Sequence, residues 1–246
     1  MMSLSRISLQ EVVQKQYAYK LRAYIQVFMS LVFIQVLGIL FSFNGVGMMG
    51  TSSNTFDISV HFYSADIVVV FTMLWAFISA ILITTQAYRN DDFVFITNRL
   101  TSNISNLLFL LTASLVGGLT AMLSSHVMRI LMYVLGQTQY LYTPTAASEW
   151  IIGFIATILY VLLCSAIGYF FGTLVQLHKI FAVLLPVIFI GLLILGAGTM
   201  NGTIINNVIE FIFEEASLTI FIVKTGVLIA LLLSGSSLMS NRMEVR

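Results

Sequence analysis

The sequence contains few charged residues. Only 9% of its 246 residues are charged and 59% are hydrophobic, whereas a soluble domain has about 25% charged and roughly 45–50% apolar residues. A chain with so little polar surface cannot cover itself in water, so lipid must be its solvent. The composition therefore excludes an ordinary soluble protein.

Residues and motifs for catalysis are also scarce. The single cysteine, Cys164, excludes an internal disulfide and any site with several cysteine ligands. The phosphate-binding GxxxxGK[ST], the zinc motif HExxH and the nucleophile motif GxSxG do not occur. His61, His126 and His178 fall in three separate segments. We therefore predict no catalytic, cofactor or metal site, no enzymatic activity of the chain alone and no nucleic-acid partner.

Long uncharged runs fill most of the chain. A helix needs about 20 mostly apolar residues to cross the hydrocarbon core, and a β-barrel would show alternation instead. The predicted fold is therefore an all-α integral membrane protein in one transmembrane domain with six spans. These spans cover residues 25–43, 67–88, 104–127, 150–172, 180–199 and 218–239.

The basic residues predict the orientation. With the N-terminus inside, nine of the eleven lie in the cytoplasm: Arg6, Lys15, Lys20, Arg22, Arg89, Arg99, Lys179, Arg242 and Arg246. Because Lys and Arg are enriched in cytoplasmic loops, both termini are predicted to be cytoplasmic. We expect a multi-pass protein of the cell membrane, and a bacterial plasma membrane fits best.

Three polar segments outside the predicted spans have sequence patterns that predict their local structure. Residues 1–24 place Leu9, Val13, Tyr17 and Leu21 four apart, which predicts an amphipathic helix on the inner leaflet. The outer loop 44–65 is rich in Gly, Ser, Thr and Asn and is predicted to be irregular. Segment 204–216 is predicted to be an outer amphipathic helix or half of a re-entrant turn.

Few ionisable residues lie near the membrane interior. Lys224 lies within the sixth span and Asp66 at the outer start of the second. With Glu210 and Glu214 they are candidates for the outer side or the substrate path. The alternative is that Lys224 extends to the interface or pairs with an acid. Pro186 should kink the fifth span.

Glycines recur in spans three to five. They are Gly117, Gly118, Gly168, Gly172, Gly191 and Gly196. Small residues four apart, such as Gly168 and Gly172, allow two membrane helices to approach closely. The glycines therefore predict close contacts between helices.

Together, the layout resembles the permease subunit of type-2 ATP-binding-cassette exporters. These permeases have an N-terminal amphipathic helix and six spans with both ends inside. The inner stretch Ala87-Tyr-Arg-Asn-Asp-Asp-Phe-Val-Phe-Ile-Thr-Asn-Arg is similar to their coupling-helix region, although Thr97-Asn98 replaces a frequent proline. The run Ala166-Ile-Gly-Tyr-Phe-Phe-Gly, and the segment between spans five and six, are also typical.

The resemblance implies partners and a function. ATP and Mg would be bound by a separate cytoplasmic ATPase, docked on loop 89–103, and a second permease copy or paralogue would complete a dimer in the bilayer. The docking residues would be Arg89, Asp91, Asp92, Phe93, Phe95, Ile96 and Arg99. An amphipathic cargo (peptide, antibiotic or lipid-like compound) would suit the aromatic residues Phe28, Phe33, Phe41, Phe71, Trp75 and Phe77.

Two other functions stay open. The chain could be a membrane assembly or regulatory protein, in which case no ATPase gene would accompany it. It could be a secondary transporter, which would require internal repeats with interrupted helices. The sequence does not identify the substrate or the permease partner.

Overall fold

A computed structural model of the protein describes residues 8–43, 47–53, 56–62, 66–85, 87–88, 99–136, 147–198 and 217–242. The principal helices are α1 (Leu9–Ala23), α2 (Ile25–Ser42), α3 (Asp66–Thr84), α4 (Arg99–Val134), α5 (Ala147–Leu177), α6 (Phe181–Gly198) and α7 (Leu218–Arg242). Strands β1 (Gly47–Ser53) and β2 (Phe56–Phe62) lie between α2 and α3.

Five helices are long and apolar enough to cross a membrane. These are α2, α3, α4, α5 and α7, with mean hydropathy between 2.0 and 2.6. The chain is thus a multi-pass, predominantly helical membrane protein, as its composition predicts. Helix α6 coincides with the predicted fifth span at residues 180–199 and carries no charge along its 18 residues.

Several helix ends differ from the predicted boundaries. Helix α3 ends at Thr84, before the predicted residue 88. Helix α4 begins at Arg99, so the last residues of the predicted loop 89–103 form its first turn. At 1.5 Å per residue its 36 residues extend about 54 Å, well beyond a hydrocarbon core of roughly 30 Å. It stops near Gly136, whose φ of 72° a helix cannot adopt.

The outer loop between α2 and α3 contains regular structure. Strands β1 and β2 pair antiparallel, from Gly47 opposite Phe62 to Ser53 opposite Phe56. The prediction of an irregular loop was therefore wrong. It relied on the glycine and asparagine content, whereas Thr51, Ile58 and Val60 are β-branched residues that favour strands.

Helix α1 forms as predicted, and its buried face combines part of the predicted apolar stripe with two polar residues. The Ser8 hydroxyl accepts a hydrogen bond from the backbone N–H of Glu11, which caps the first turn. Its buried residues are Val13, Gln16 and Lys20, whereas Leu9 is 52% exposed. The predicted apolar stripe therefore packs in part, through the buried Val13 and the half-buried Tyr17 and Leu21, and the buried face also includes the polar Gln16 and Lys20. Helix α1 lies against α4, and a polar face meets the polar first turns of that helix.

The bundle is organised around α5. Helices α3, α4 and α7 all pack on it, while α2 packs on α3. Helices α5 and α7 run in the same direction, because Tyr160 contacts Phe221 at one end and Thr173 contacts Ser236 further along. The main core combines α2, α3, α4 and α5 around residues such as Trp75 and Phe109.

Glycines allow the closest helix contacts. A Cβ at Gly168 would overlap the carbonyl oxygen of Phe77, and one at Gly172 would overlap the Thr84 hydroxyl. A Cβ at Gly118 would lie 2.7 Å from Cγ1 of Ile158. The predicted close packing is confirmed for these residues. It is wrong for Gly191, where a Cβ would meet nothing within 4 Å.

Gly168→Ala should lower the free energy of unfolding by about 1–3 kcal/mol, because the added methyl group forces α5 away from the backbone of α3. Stability would be measured by denaturation of the purified protein in mixed micelles. Gly226→Ala is the matched control, since a Cβ there meets nothing within 4 Å. Equal stability of the two variants would contradict the proposed contact.

Candidate functional site

The predicted docking residues can be located only in part. Arg89, Asp91, Asp92, Phe93, Phe95 and Ile96 lie outside the described residues. Arg99 is the first residue of α4. The segment therefore leads directly into α4, the helix on which α1 packs. The docking role of these residues stays a prediction.

Four residues were predicted to lie on the outer side or in a substrate path, and the two that the structure describes lie on different helices. Asp66 is the exposed first residue of α3, and Lys224 is half-buried in the second turn of α7. Glu210 and Glu214 lie outside the described residues. Because α3 and α7 both pack on α5, Asp66 and Lys224 belong to the same bundle. Their role in a substrate path stays a prediction.

Lys20 is the most deeply buried cation in the described part of the chain. Its side chain is only 1% exposed, a burial that its place among the predicted cytoplasmic basic residues did not indicate. The ammonium donates hydrogen bonds to Ser105 Oγ at 2.8 Å and to Asn106 Oδ1 at 2.5 Å. Both acceptors lie in the second turn of α4, and an ammonium removed from water requires such partners. Lys20 thereby fixes α1 to the start of α4.

The same polar contacts continue across the bundle through Tyr169. Its hydroxyl accepts a hydrogen bond from Asn106 Nδ2 at 3.3 Å and donates one to Asn103 Oδ1 at 3.1 Å. Asn103 Nδ2 in turn donates to Ser237 Oγ at 3.4 Å. We call Lys20, Asn103, Asn106, Tyr169 and Ser237 the inner network. It joins α1, α4, α5 and α7 at one end of the bundle.

The inner network is suited to transmitting a displacement of one helix to the other helices that it joins. Each member is held by partners on another helix, so displacement of one helix strains bonds to the others. The network contains no pairing of a nucleophile with a base, which covalent catalysis requires. It therefore couples the position of α1 to the inner ends of three apolar helices.

A second polar contact lies deeper in the bundle. The amide nitrogen of Gln35 is 3.1 Å from Thr72 Oγ1, 2.9 Å from Thr120 Oγ1 and 3.3 Å from the Gly117 carbonyl oxygen. Gln35 is 7% exposed. Hydrogen bonds between membrane helices contribute about 0.6 kcal/mol on average. Gln35 therefore helps to hold α2, α3 and α4 together.

Gln16 differs from these residues because it makes no hydrogen bond through its side chain. Its amide is fully buried, and neither Nε2 nor Oε1 has a hydrogen-bond partner among the residues that the structure describes. A buried polar group left without a partner costs about 1–3 kcal/mol. Gln16 lies one turn before Lys20 on the same face of α1. The contact between α1 and α4 thus contains a cation, Lys20, that is hydrogen-bonded, and an amide, Gln16, that is not.

The aromatic residues predicted to line a cargo path do not form one surface. Trp75 is 2% exposed and donates a hydrogen bond to Ser30, and Phe28 packs on Phe109 in the core. Phe77 packs on Phe171 and Phe41 on Phe71, whereas Phe33 is 65% exposed. These side chains mainly stabilise helix contacts within one protomer.

Comparison with known proteins gives no relative on which a role could be based. No protein-family model, curated protein or solved structure matches this chain.

The inner network was not predicted from the sequence, although two signals for it are present. Gln16 and Lys20 are four apart on α1, and Asn103 and Asn106 are three apart on α4. Such spacings place each pair on one helix face. The asparagines adjoin a long apolar run, where polar side chains require partners.

Tyr169→Phe should lower the free energy of unfolding by about 1–2 kcal/mol, because it removes the hydroxyl that joins Asn106 to Asn103 and leaves both amides short of a partner. Unfolding in mixed micelles would measure the change. Tyr133→Phe is the control, since Tyr133 is 72% exposed. A Tyr169→Phe variant as stable as the control would show that the network contributes little.

Proposed function

We propose that this chain is the transmembrane permease subunit of an ATP-driven exporter of the type-2 ATP-binding-cassette class. It would move an amphipathic compound outward, with energy from a separate ATPase subunit. The observation that carries the proposal is the inner network, which connects α1 to three apolar helices beside the segment that resembles a coupling helix. A permease needs such a connection, because it has to convert an event at the inner face into a movement of its spans.

The directions of the helices support a crossing through α6 in addition to the five candidate spans. Helices α5 and α7 are parallel, so the chain must return to the opposite end of the bundle between Leu177 and Leu218. Helix α6 is the apolar segment suited to that crossing, since its 18 residues extend about 27 Å. This reasoning supports α6 as a span, the fifth in chain order, which would bring the total to six.

This crossing can be tested by labelling introduced cysteines in a Cys164→Ser background. Asn201→Cys, just after α6, should react with a membrane-impermeant maleimide in intact cells. Glu244→Cys, just after α7, should react only after the cells are permeabilised. Protection of residue 201 in intact cells, with reaction after permeabilisation, would contradict six spans.

The docking proposal assigns different roles to two kinds of residue. Phe93, Phe95 and Ile96 would insert into the ATPase, since a few buried apolar anchors supply most of the energy of an interface. Asp91 and Asp92, with Arg89 and Arg99, would surround them and select the partner through charge. The position of this segment directly before α4 supports the proposal, because α4 carries Asn103 and Asn106.

Co-purification tests this function directly. The chain would be co-expressed with an ATP-binding-cassette ATPase encoded beside its gene, and both binding and ATP hydrolysis would be measured. Asp91→Lys with Asp92→Lys should abolish co-purification, as should Phe93→Ala with Phe95→Ala. Asp57→Lys, in β2 on the predicted outer side, is a charge-reversal control and should leave binding intact. Unchanged co-purification and hydrolysis in both docking variants would refute the docking proposal.

A dimer would complete the transport path. Exposed apolar side chains follow one face of α2, including Ile25, Met29, Val32 and Val36 at 50–69% exposure. Helix α6 also exposes apolar residues, such as Val183 and Val187. These surfaces suit lipid or a second permease, and we propose that two permeases enclose the cargo between them.

A further inference from the structure

Contacts between α4 and α5 show which residues of the two helices lie at the same height. A Cβ at Gly118 would lie 2.7 Å from Cγ1 of Ile158, and the rings of His126 and Trp150 lie 6.4 Å apart. Gly118 and His126 are eight residues apart on α4, and Ile158 and Trp150 are eight residues apart in the reverse order on α5. The two helices are therefore antiparallel, and each residue of α4 can be assigned a height relative to α5.

Helix α4 extends further toward the predicted outer side than α5 does. Helix α5 begins at Ala147, three residues before Trp150, whereas α4 continues for eight residues beyond His126 to Val134. Tryptophan is enriched where the hydrocarbon core meets water, and an arginine such as Arg129 is costly inside it. The end of α4 therefore projects about 12 Å past the level of Trp150, outside the hydrocarbon core.

The projecting end of α4 has one covered face and one exposed face. Met128 and Met132 are 2% and 1% exposed, so the protomer itself covers their side of the helix. Ile130, Tyr133 and Val134 are 63%, 72% and 75% exposed. At about 100° per residue these three lie on the side opposite the two methionines. We call Ile130, Tyr133 and Val134 the outer patch.

The outer patch is the end of a longer apolar stripe on α4. Val116, Leu119, Leu123 and Val127 are between 42% and 46% exposed, and they continue the same face at spacings of three or four residues. Lipid can cover the stripe within the hydrocarbon core, but it does not reach the outer patch. Contiguous apolar surface in contact with water marks an interaction site. The outer patch therefore requires a partner.

We propose that the outer patch binds the outer patch of a second copy of this chain, so that two α4 helices lie side by side and parallel. The choice of a second copy rests on the proposed function, which pairs two permeases, and on the shape of the surface. The partner must follow the stripe through the membrane and extend equally far beyond it. The α4 helix of a second copy does both by symmetry.

The chemistry of the outer patch suits contact with itself. Its three residues carry no charge, so two identical patches meet without repulsion between like charges. Arg129 is turned about 100° away from Ile130 on the helix, which keeps the two guanidinium groups apart. The exposed face of α2 makes no comparable demand, because lipid can cover an 18-residue span along its whole length. The structure thus favours α4 over α2 as the contact between the two copies.

Disulfide cross-linking tests the contact. In a Cys164→Ser background, Ile130→Cys and Val134→Cys should each form a disulfide-linked dimer when membranes are oxidised, because a two-fold axis along the membrane normal brings equivalent residues together. Ser148→Cys, at an exposed position in the first turn of α5, is the control and should stay monomeric. The mass of the cross-linked product identifies the second component.

A charge at the same positions should separate the two copies. In the Ile130→Glu and Val134→Glu double variant, four carboxylates would meet at the contact, so the molar mass measured by light scattering in detergent should fall from two chains to one. Ser148→Glu adds a carboxylate at a similar height on α5 and should leave the dimer intact. Circular dichroism would verify that the double variant keeps its helices, since both substitutions are at exposed positions.

Each outcome decides the proposal. Cross-linking at residues 130 and 134, with loss of the dimer in the double glutamate variant alone, would support it. Cross-linking no greater than at residue 148, or a product that contains a different protein, would overturn it. If an ATPase co-purifies with a chain that does not cross-link, the α4 contact fails while the exporter assignment stands. If the chain cross-links but no ATPase binds, the contact stands and the exporter assignment fails.

Discussion

A polar side chain inside an apolar bundle must be bonded to another part of the same protein, because lipid offers no hydrogen bonds. This constraint explains where the described helices meet. Gln35 on α2 forms hydrogen bonds to α3 and α4, and Tyr169 joins α5 to α4. Apolar side chains would pack equally well on lipid, so they do not select one arrangement. The polar contacts therefore specify the neighbours, and the glycines determine how closely those neighbours approach.

The need for an internal hydrogen-bond partner also applies to Lys20, at the end of the bundle where α1 meets α4. Its burial requires α1 to stay beside α4, and its contact with Asn106 continues through Tyr169 and Asn103 to α7. A helix that would otherwise remain at the surface thus becomes part of the membrane bundle. Segment 89–98 directly precedes α4 in the sequence. An event at the inner face could therefore reach three apolar helices without passing through the apolar core.

The fold could be predicted from the sequence to the extent that hydropathy determines it. Long apolar runs, one of them containing Lys224, locate α2 to α7, because about 20 mostly apolar residues are required for a span. Hydropathy does not determine which helix faces which, so the burial of Lys20 was missed. From the sequence of α1 alone, the lysine is one of the predicted cytoplasmic basic residues, and only the oxygens of Ser105 and Asn106, 85 and 86 residues away, make its burial tolerable. The ribbon of β1 and β2 was missed because composition does not reveal strand pairing.

The contact at Gly168 and Gly172 has a mechanical consequence. Side-chain interfaces can rearrange by changing rotamers, but here the surface of α5 meets the backbone of Phe77 with no side chain in between. Helices α3 and α5 must then move as one rigid body. Any change in shape then occurs away from this pair, for example along the exposed α6. The remaining helices would then move relative to this rigid unit of α3 and α5.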